Sequence, residues 1–326
     1  MIAGQKPACI AGWGTNSAVK ILASRRFPGP AWDELTDVEY YDGALHETRR
    51  DVEALAVVGE VIDGQTLDLF PNLRVVGNYG VGYEDIDVTA CAARGVAVTN
   101  TPGVLDAATA DLTLALILAT RRRVVEGDSF VRAGKWGTEW VSTTLVAHEV
   151  SGATLGIVGL GRIGTAVARR ARGFDMNLLY TKRDRLSEDE ENELGVEFRV
   201  LDDLLREADI VTLHVPLTPE SERLLDERRI GLLRDGACLV NTARGAIIDE
   251  QALVQALAAG RIRAGLDVFG DEPNVPRELF GLANVVLTPH LGSATQETRE
   301  AMTRVLVDNL RAAAEGRPLP NRVYPS

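Results

Sequence analysis

A chain of 326 residues is longer than one ordinary hydrophobic core requires, so two domains are the reasonable expectation. Its composition, 45% hydrophobic and 25% charged, is that of a globular protein, and a formal net charge of −12 from 35 basic and 47 acidic residues argues against a nucleic-acid-binding surface. The longest apolar stretch, "LTLALILA" at 112–119, is too short to cross a bilayer, so no membrane partner is expected. The opening "MIAGQKPACIAGWG" lacks the zones of a secretory signal. Cys9, Cys91 and Cys238 are scattered without metal-ligand spacing, so the sequence predicts no metal site and a reduced, cytoplasmic setting.

In chain order, "EALAVVG" (53–59), "LRVVGNYG" (73–80) and "GVAVTNT" (95–101) read as short strands, each followed by helix-compatible sequence. Pro102-Gly103 then punctuates the chain ahead of a long Ala/Leu-rich helix at 104–123. Beyond residue 150 the strand candidates are "TLGIVGL", "MNLLYT", "DIVTLHV", "ACLVNTA", "RAGLDVF" and "NVVLTPH". Helical patterns such as "IGTAVARRARGF" and "DEQALVQALAAG" separate most of them. Such alternation predicts an α/β fold of parallel sheets covered by helices, with ligand-facing loops at the carboxyl ends of the strands. The charge run "RDRLSEDEENE" (183–193) reads as a solvated surface segment. A last long helix is predicted over 293–316, with Ser293 at its start, Glu297 in its first turn and Gly316 as its stop.

The strand "TLGIV" runs into Gly159, Leu160, Gly161, Arg162, Ile163 and Gly164, a GxGxxG turn that opens a helix. The first glycine permits the tight turn and the second lets the backbone approach a pyrophosphate. The third lets helix and strand pack closely, with the helix N-terminus aimed at the phosphates. An NAD site usually carries an acidic residue about twenty residues further on, to bind the adenosine ribose. Here the next strand ends in Thr181, Lys182 and Arg183. A hydroxyl and two cations suit a 2′-phosphate, so the sequence favours NADP(H) over NAD(H).

Nicotinamide-dependent reduction of a ketone needs a proton donor, an orienting carboxylate and a cation for the substrate. Arg244 in "VNTARGAIIDE", Glu272 in "GLDVFGDEP" and His290 in "VVLTPHLGSAT" stand at or just past strand ends. His214 in "TLHVPLTP" is the rival proton donor. An imidazolium suits the task because its ordinary pKa lies near neutrality. An arginine can clamp a substrate carboxylate and polarise the neighbouring carbonyl.

These stretches, with "NYGVGYEDID" (78–87) and "VTNTPGVLDAATADLTLALILA" (98–119), make the chain resemble the D-isomer-specific 2-hydroxyacid dehydrogenase family from about residue 50 onward. "NYGVGY", "VTNTPGVL" and "GDSFVRAGKW" are most similar to its glyoxylate/hydroxypyruvate reductases. The resemblance implies reduction of a small 2-oxo acid to the D-2-hydroxy acid, and the reverse oxidation. Arg244 would bind the substrate carboxylate and carbonyl, His290 would be the acid/base, and Glu272 would orient it. Backbone N–H groups at Val81 and Gly82 would meet the substrate carboxylate. Thr109, Thr242 and Asp267 would lie at the nicotinamide, Leu160 to Ile163 at the pyrophosphate, and His214 along the cofactor cleft. The implied fold is two Rossmann-like or flavodoxin-like lobes: a substrate lobe from 1–101 and 290–326, and a nucleotide lobe, 102–289, inserted into it. The active site would lie in the cleft. A dimerisation arm at about 125–150 would make the protein a homodimer, with Trp136 or Trp140 offered to the partner's site. The alternatives are a dehydrogenase of a larger 2-oxo acid using NADH, and a non-catalytic dinucleotide-sensing binding protein on the same fold.

Overall fold

Alternation of short apolar strands with helices produces two sheets, each in its own compact unit. The computed structural model describes residues 19–43, 45–137 and 145–325. One unit takes the chain up to Val104 and again from Thr295, and the other is Leu105–Ala294. Residues 290–294, expected in the first lobe, belong to the second unit. Their backbone is tied there: the Leu291 and Gly292 N–H groups donate to the Asp267 carboxylate at 2.7 and 2.8 Å, and His290 N–H to the Asp267 carbonyl at 2.9 Å.

The first unit begins with β1 (Ile21–Ala23), β2 (Val38–Tyr40), β3 (Ala54–Val57), α1 (Gly64–Asp68), β4 (Val75–Asn78), α2 (Val88–Ala93) and β5 (Ala97–Thr99). β1, β3, β4 and β5 are buried along their whole length, the burial expected of parallel strands covered on both faces. Asp63 and Asp87 cap the two helices by accepting the Thr66 and Ala90 N–H groups, each at 2.8 Å.

The second unit runs α3 (Asp106–Arg121), α4 (Val124–Arg132), β6 (Thr154–Val158), α5 (Arg162–Ala171), β7 (Asn177–Thr181), α6 (Glu188–Leu194), β8 (Val196–Phe198), α7 (Leu201–Glu207), β9 (Ile210–Leu213), α8 (Glu227–Leu232), β10 (Cys238–Asn241), α9 (Glu250–Ala258), β11 (Arg263–Leu266) and β12 (Val285–Leu287). Its seven strands are parallel, in the order β12-β11-β10-β9-β6-β7-β8. The chain reverses direction across the sheet between β6 and β9, and doubly wound sheets bind ligands at such a switch point. The charge run at 183–193 is solvated at most positions, as expected, but it is not structureless. Its second half forms most of α6, opened by a Ser187/Glu190 capping box, and Glu191 on that helix is only 7% exposed.

The chain returns to the first unit through α10 (Gln296–Ala314) and β13 (Arg322–Val323). That sheet is ordered β13-β5-β4-β3-β1-β2, parallel except for β13, a flavodoxin-like arrangement. α10 is capped by Thr295, which accepts the Thr298 N–H at 3.1 Å, and not by Ser293. Ser293 lies inside a turn closed by Ala294 N–H on the Leu291 carbonyl, so the helix starts after it.

Candidate active site

The glycine turn at the end of β6 is built by close approach. Gly159 has φ of +95°, and a Cβ there would lie 2.7 Å from the His214 backbone; one at Gly164 would lie 2.2 Å from the Gly159 carbonyl oxygen. Gly161 differs: a Cβ on it would meet nothing within 4 Å, and it starts α5 without any side-chain cap. The first-turn N–H groups of α5 therefore front open space beside a residue without a side chain, and that donor set fits an anionic pyrophosphate. The Leu160 side chain is 3% exposed in the core, so only its backbone can face a phosphate. Arg162 is exposed and pairs with Asp106 at 3.7 Å. Ile163 is half-buried on the first turn of α5.

β7 carries the next candidates to the same edge of the sheet, where the Thr181 carbonyl accepts the Gly159 N–H at 2.9 Å. Thr181 and Lys182 are half-buried and Arg183 is exposed. After β9, His214 N–H bonds to the Val158 carbonyl at 2.7 Å, and its Nε2 sits 2.9 Å from Thr212 Oγ1. Burial pushes the His214 imidazole down to about 3, which keeps it neutral at neutral pH.

His290, Glu272 and Arg244 converge within the second unit. His290 Nδ1 stands 2.8 Å from Glu272 Oε2, while Glu272 Oε1 accepts the Phe269 N–H at 3.0 Å. Partial burial opposes ionisation of Glu272. The His290 hydrogen bond, the Phe269 N–H and the Arg244 charge outweigh it and hold the carboxyl below its ordinary value. An ionised carboxylate only accepts, so Nδ1 carries a proton and Nε2 is the atom left to exchange one. Arg244 follows β10; its carbonyl accepts the Asn241 side-chain amide at 2.8 Å, and its Nη1 donates to the Ala243 carbonyl at 2.7 Å.

Asp267 is the buried hub beneath this group. Its Oδ1 accepts the Thr288 hydroxyl at 2.6 Å and the Leu291 N–H, and its Oδ2 accepts the Gly292 N–H. Burial raises its pKa against the pull of these donors. They hold the turn on which His290 takes φ of +54°, in the left-handed region. Thr109 Oγ1 donates to the Gly292 carbonyl at 3.2 Å, and Thr113 Oγ1 stands 3.0 Å from Thr242 Oγ1. Both threonines named from the resemblance are thus buried in bonds to the same framework.

In the first unit, the loop after β4 carries Val81 and Gly82. Two asparagines that sequence reasoning passed over support it. Asn78 Nδ2 donates to the Gly80 and Gly82 carbonyls at 3.3 and 2.6 Å, and Asn100 Nδ2 to the Val81 carbonyl at 2.9 Å. In a trans peptide the N–H points opposite the preceding C=O, so these bonds turn the N–H groups of residues 81–83 away from the asparagines. Asn309, fully buried on α10, donates in turn to the Asn100 carbonyl at 3.3 Å. Both loop asparagines lay in view in "NYGVG" and "TNTPG", yet an amide that aligns a loop has no spacing signature. Trp136 is described and 68% exposed, whereas Trp140 lies outside the described residues.

The sequence pattern of the D-isomer specific 2-hydroxyacid dehydrogenase NAD-binding domain matches residues 114–292. A glyoxylate reductase of Pyrococcus furiosus is 48% identical over 307 residues, covering 93% of this chain and 90% of the relative. A solved Thermus thermophilus protein superposes with a TM-score of 0.86 at 44% identity, covering 94% of this chain and all of the other. The NADPH-dependent glyoxylate/hydroxypyruvate reductase of Sinorhizobium meliloti, solved with NADP and malonate, gives a TM-score of 0.84 at 35% identity, over 94% of this chain and 97% of that one.

Proposed function

Because the chain belongs to the D-isomer specific 2-hydroxyacid dehydrogenase family and is a nicotinamide-dinucleotide oxidoreductase of small 2-oxo acids, we propose that it reduces glyoxylate and hydroxypyruvate with NADPH preferred over NADH. The observation that carries the catalytic reading is the 2.8 Å contact between His290 and Glu272, with Arg244 acting electrostatically on the same carboxylate. Arg244 clamps the substrate carboxylate and polarises its carbonyl. Protonated His290 delivers a proton from Nε2 to the carbonyl oxygen, and Glu272 holds the opposite ring nitrogen and stabilises the charged ring. The bound reduced dinucleotide supplies the hydride that the carbonyl carbon receives. The N–H groups of Val81 and Gly82 are donors suited to a carboxylate.

Gly159 to Gly164 cradle the pyrophosphate, with Leu160, Arg162 and Ile163 contributing backbone. Thr181, Lys182 and Arg183 bind the 2′-phosphate, and Asp267, Thr109 and Thr242 frame the nicotinamide end. His214 lines the dinucleotide site as a neutral residue. Initial rates with glyoxylate and hydroxypyruvate, each with NADPH and NADH, test the whole reading. A strong preference for NADH would overturn the cofactor assignment, and no turnover of either acid would overturn the substrate assignment.

The protein works as a homodimer through 125–150, a reading supported by side chains left in water. Val125, Val131, Trp136 and Val146 are each about half exposed or more. Sedimentation equilibrium of the wild type and of Val131→Glu checks it, and a monomeric wild type would refute it.

A further inference from the structure

Glu191 is a nearly buried carboxylate with three donors. Its Oε1 accepts the Tyr180 hydroxyl at 2.6 Å and Arg185 Nε at 2.8 Å, and its Oε2 accepts Arg185 Nη2 at 2.8 Å. Tyr180 is fully buried on β7, and its hydroxyl oxygen also accepts the Leu186 N–H at 2.9 Å. The Arg185 guanidinium lies over the Phe198 ring, 5.4 Å from its centre. Arg185 holds Glu191 well below the carboxylate range, down to about 2, so the pair stays charged at any working pH. None of these groups takes part in the catalytic reading above.

Their placement gives them a task. Thr181, Lys182, Arg183 and Asp184 lie between Tyr180 and Arg185, so the strand end and the network fix both ends of a four-residue arch. The bidentate pairing also commits Arg185 to Glu191, leaving Lys182 and Arg183 as the cations of this loop to meet a ligand. We propose that Tyr180, Glu191 and Arg185 are positioning residues for recognition of a 2′-phosphorylated adenosine, holding the Lys182–Arg183 arch in its binding conformation before the ligand arrives. This rests on the NADPH reading. Pre-organisation of this kind raises affinity by removing the ordering cost of the loop.

The test uses 2′,5′-ADP and 5′-AMP as probes, with calorimetric binding constants for the full-length protein. A Lys182→Ala/Arg183→Ala variant is the reference for the phosphate contact itself. Glu191→Gln, and Tyr180→Phe as the milder change should the first fail to fold, should weaken 2′,5′-ADP about tenfold, the effect of one charge-assisted hydrogen bond. 5′-AMP should stay within about twofold. If the reference variant loses 2′,5′-ADP while Glu191→Gln and Tyr180→Phe keep it, the positioning role is overturned and the cofactor reading stands. Equal weakening of both probes by Glu191→Gln and Tyr180→Phe would mean general structural damage and would also overturn it. If the reference variant binds 2′,5′-ADP as the wild type does, the cofactor reading itself has failed and this inference falls with it.

Discussion

Two histidines stand at strand ends in the second unit, and their environments predict which delivers the proton. Burial pushes the His214 imidazole down to about 3, so at pH 7 its ring is neutral. A donor so rarely charged would forfeit the advantage of general acid catalysis, itself worth about 10²–10⁴-fold. His290 is half exposed and bonded through Nδ1 to an ionised carboxylate, which leaves Nε2 as the atom facing outward to exchange a proton. His290→Asn should therefore lower kcat for glyoxylate reduction by about 10²–10⁴-fold with dinucleotide affinity retained. His214→Asn should change kcat by less than about tenfold. Glu272→Gln should fall between: a hydrogen bond to a charged group is worth about 1.5–3 kcal/mol, and partial exposure of both partners puts it at the lower end, about tenfold in rate. The assay is the loss of reduced-nicotinamide absorbance at saturating substrate, with dinucleotide binding followed separately by fluorescence. A His290→Asn enzyme within tenfold of wild type beside a crippled His214→Asn enzyme would refute the assignment.

Gly161→Ala should fold normally, since its Cβ meets open space, yet lose dinucleotide affinity; Gly164→Ala should lower the melting temperature through overpacking of about 1–3 kcal/mol against the Gly159 carbonyl. Melting curves with and without NADPH separate the two effects. Arg244→Ala should raise KM for glyoxylate and lower kcat, together costing about 10- to 100-fold in kcat/KM; steady-state kinetics would expose an effect confined to the dinucleotide. Asp267→Asn sets an NH2 against donors that need an acceptor, leaving a buried mismatch of about 1–3 kcal/mol, so both the melting temperature and kcat should fall. The carboxyls of Glu39, Asp202 and Glu191, depressed to about 2 by their arginine partners, contribute stability that is complete above their ordinary values near 4 and is lost as pH falls toward 2. Depressed His214 adds a loss that begins below its ordinary 6.5, so melting temperature plotted against pH should decline from there and steepen below about 4.5.

Eight of the nine strands read from the sequence are buried along most of their length, as in Ala54–Val57 and Cys238–Asn241, and the ninth, β12, is half-buried throughout. β1, β2, β8 and β13 escaped because each has only two or three residues, too few to show a period; β1 is fully buried, and the other three are edge strands without a continuous buried run. α6 escaped for another reason. A run of acidic residues reads as solvated, and only the fold brings Tyr180 and Arg185 to Glu191. Arg244, Glu272 and His290 stood out in the sequence because each pairs a chemically able side chain with a loop past a strand's carboxyl end, and the fold brings His290 and Glu272 to 2.8 Å. Asn78 and Asn100 stand at the ends of β4 and β5 in the same way. Their work is done on neighbouring carbonyls, and residue type alone does not announce that.

The placement of His290 follows from what an aspartate can and cannot do. The turn after β12 presents three donors to one buried side chain: a hydroxyl and two backbone N–H groups. An amide could satisfy one face of that set and would set N–H against N–H on the other. A carboxylate accepts from all three, although burial pushes its pKa up and so works against the ionised form that does so. Once those bonds form, the turn has little freedom, and His290 is held at a positive φ that an unconstrained histidine would leave. Its ring then reaches Glu272, whose other oxygen is fixed by the Phe269 N–H only two residues from Asp267. The His290–Glu272 pair is thus set by bonds to β11's end and its following loop. The Asp267 carboxylate fixes the turn that carries His290, and the Phe269 N–H fixes Glu272 beside it.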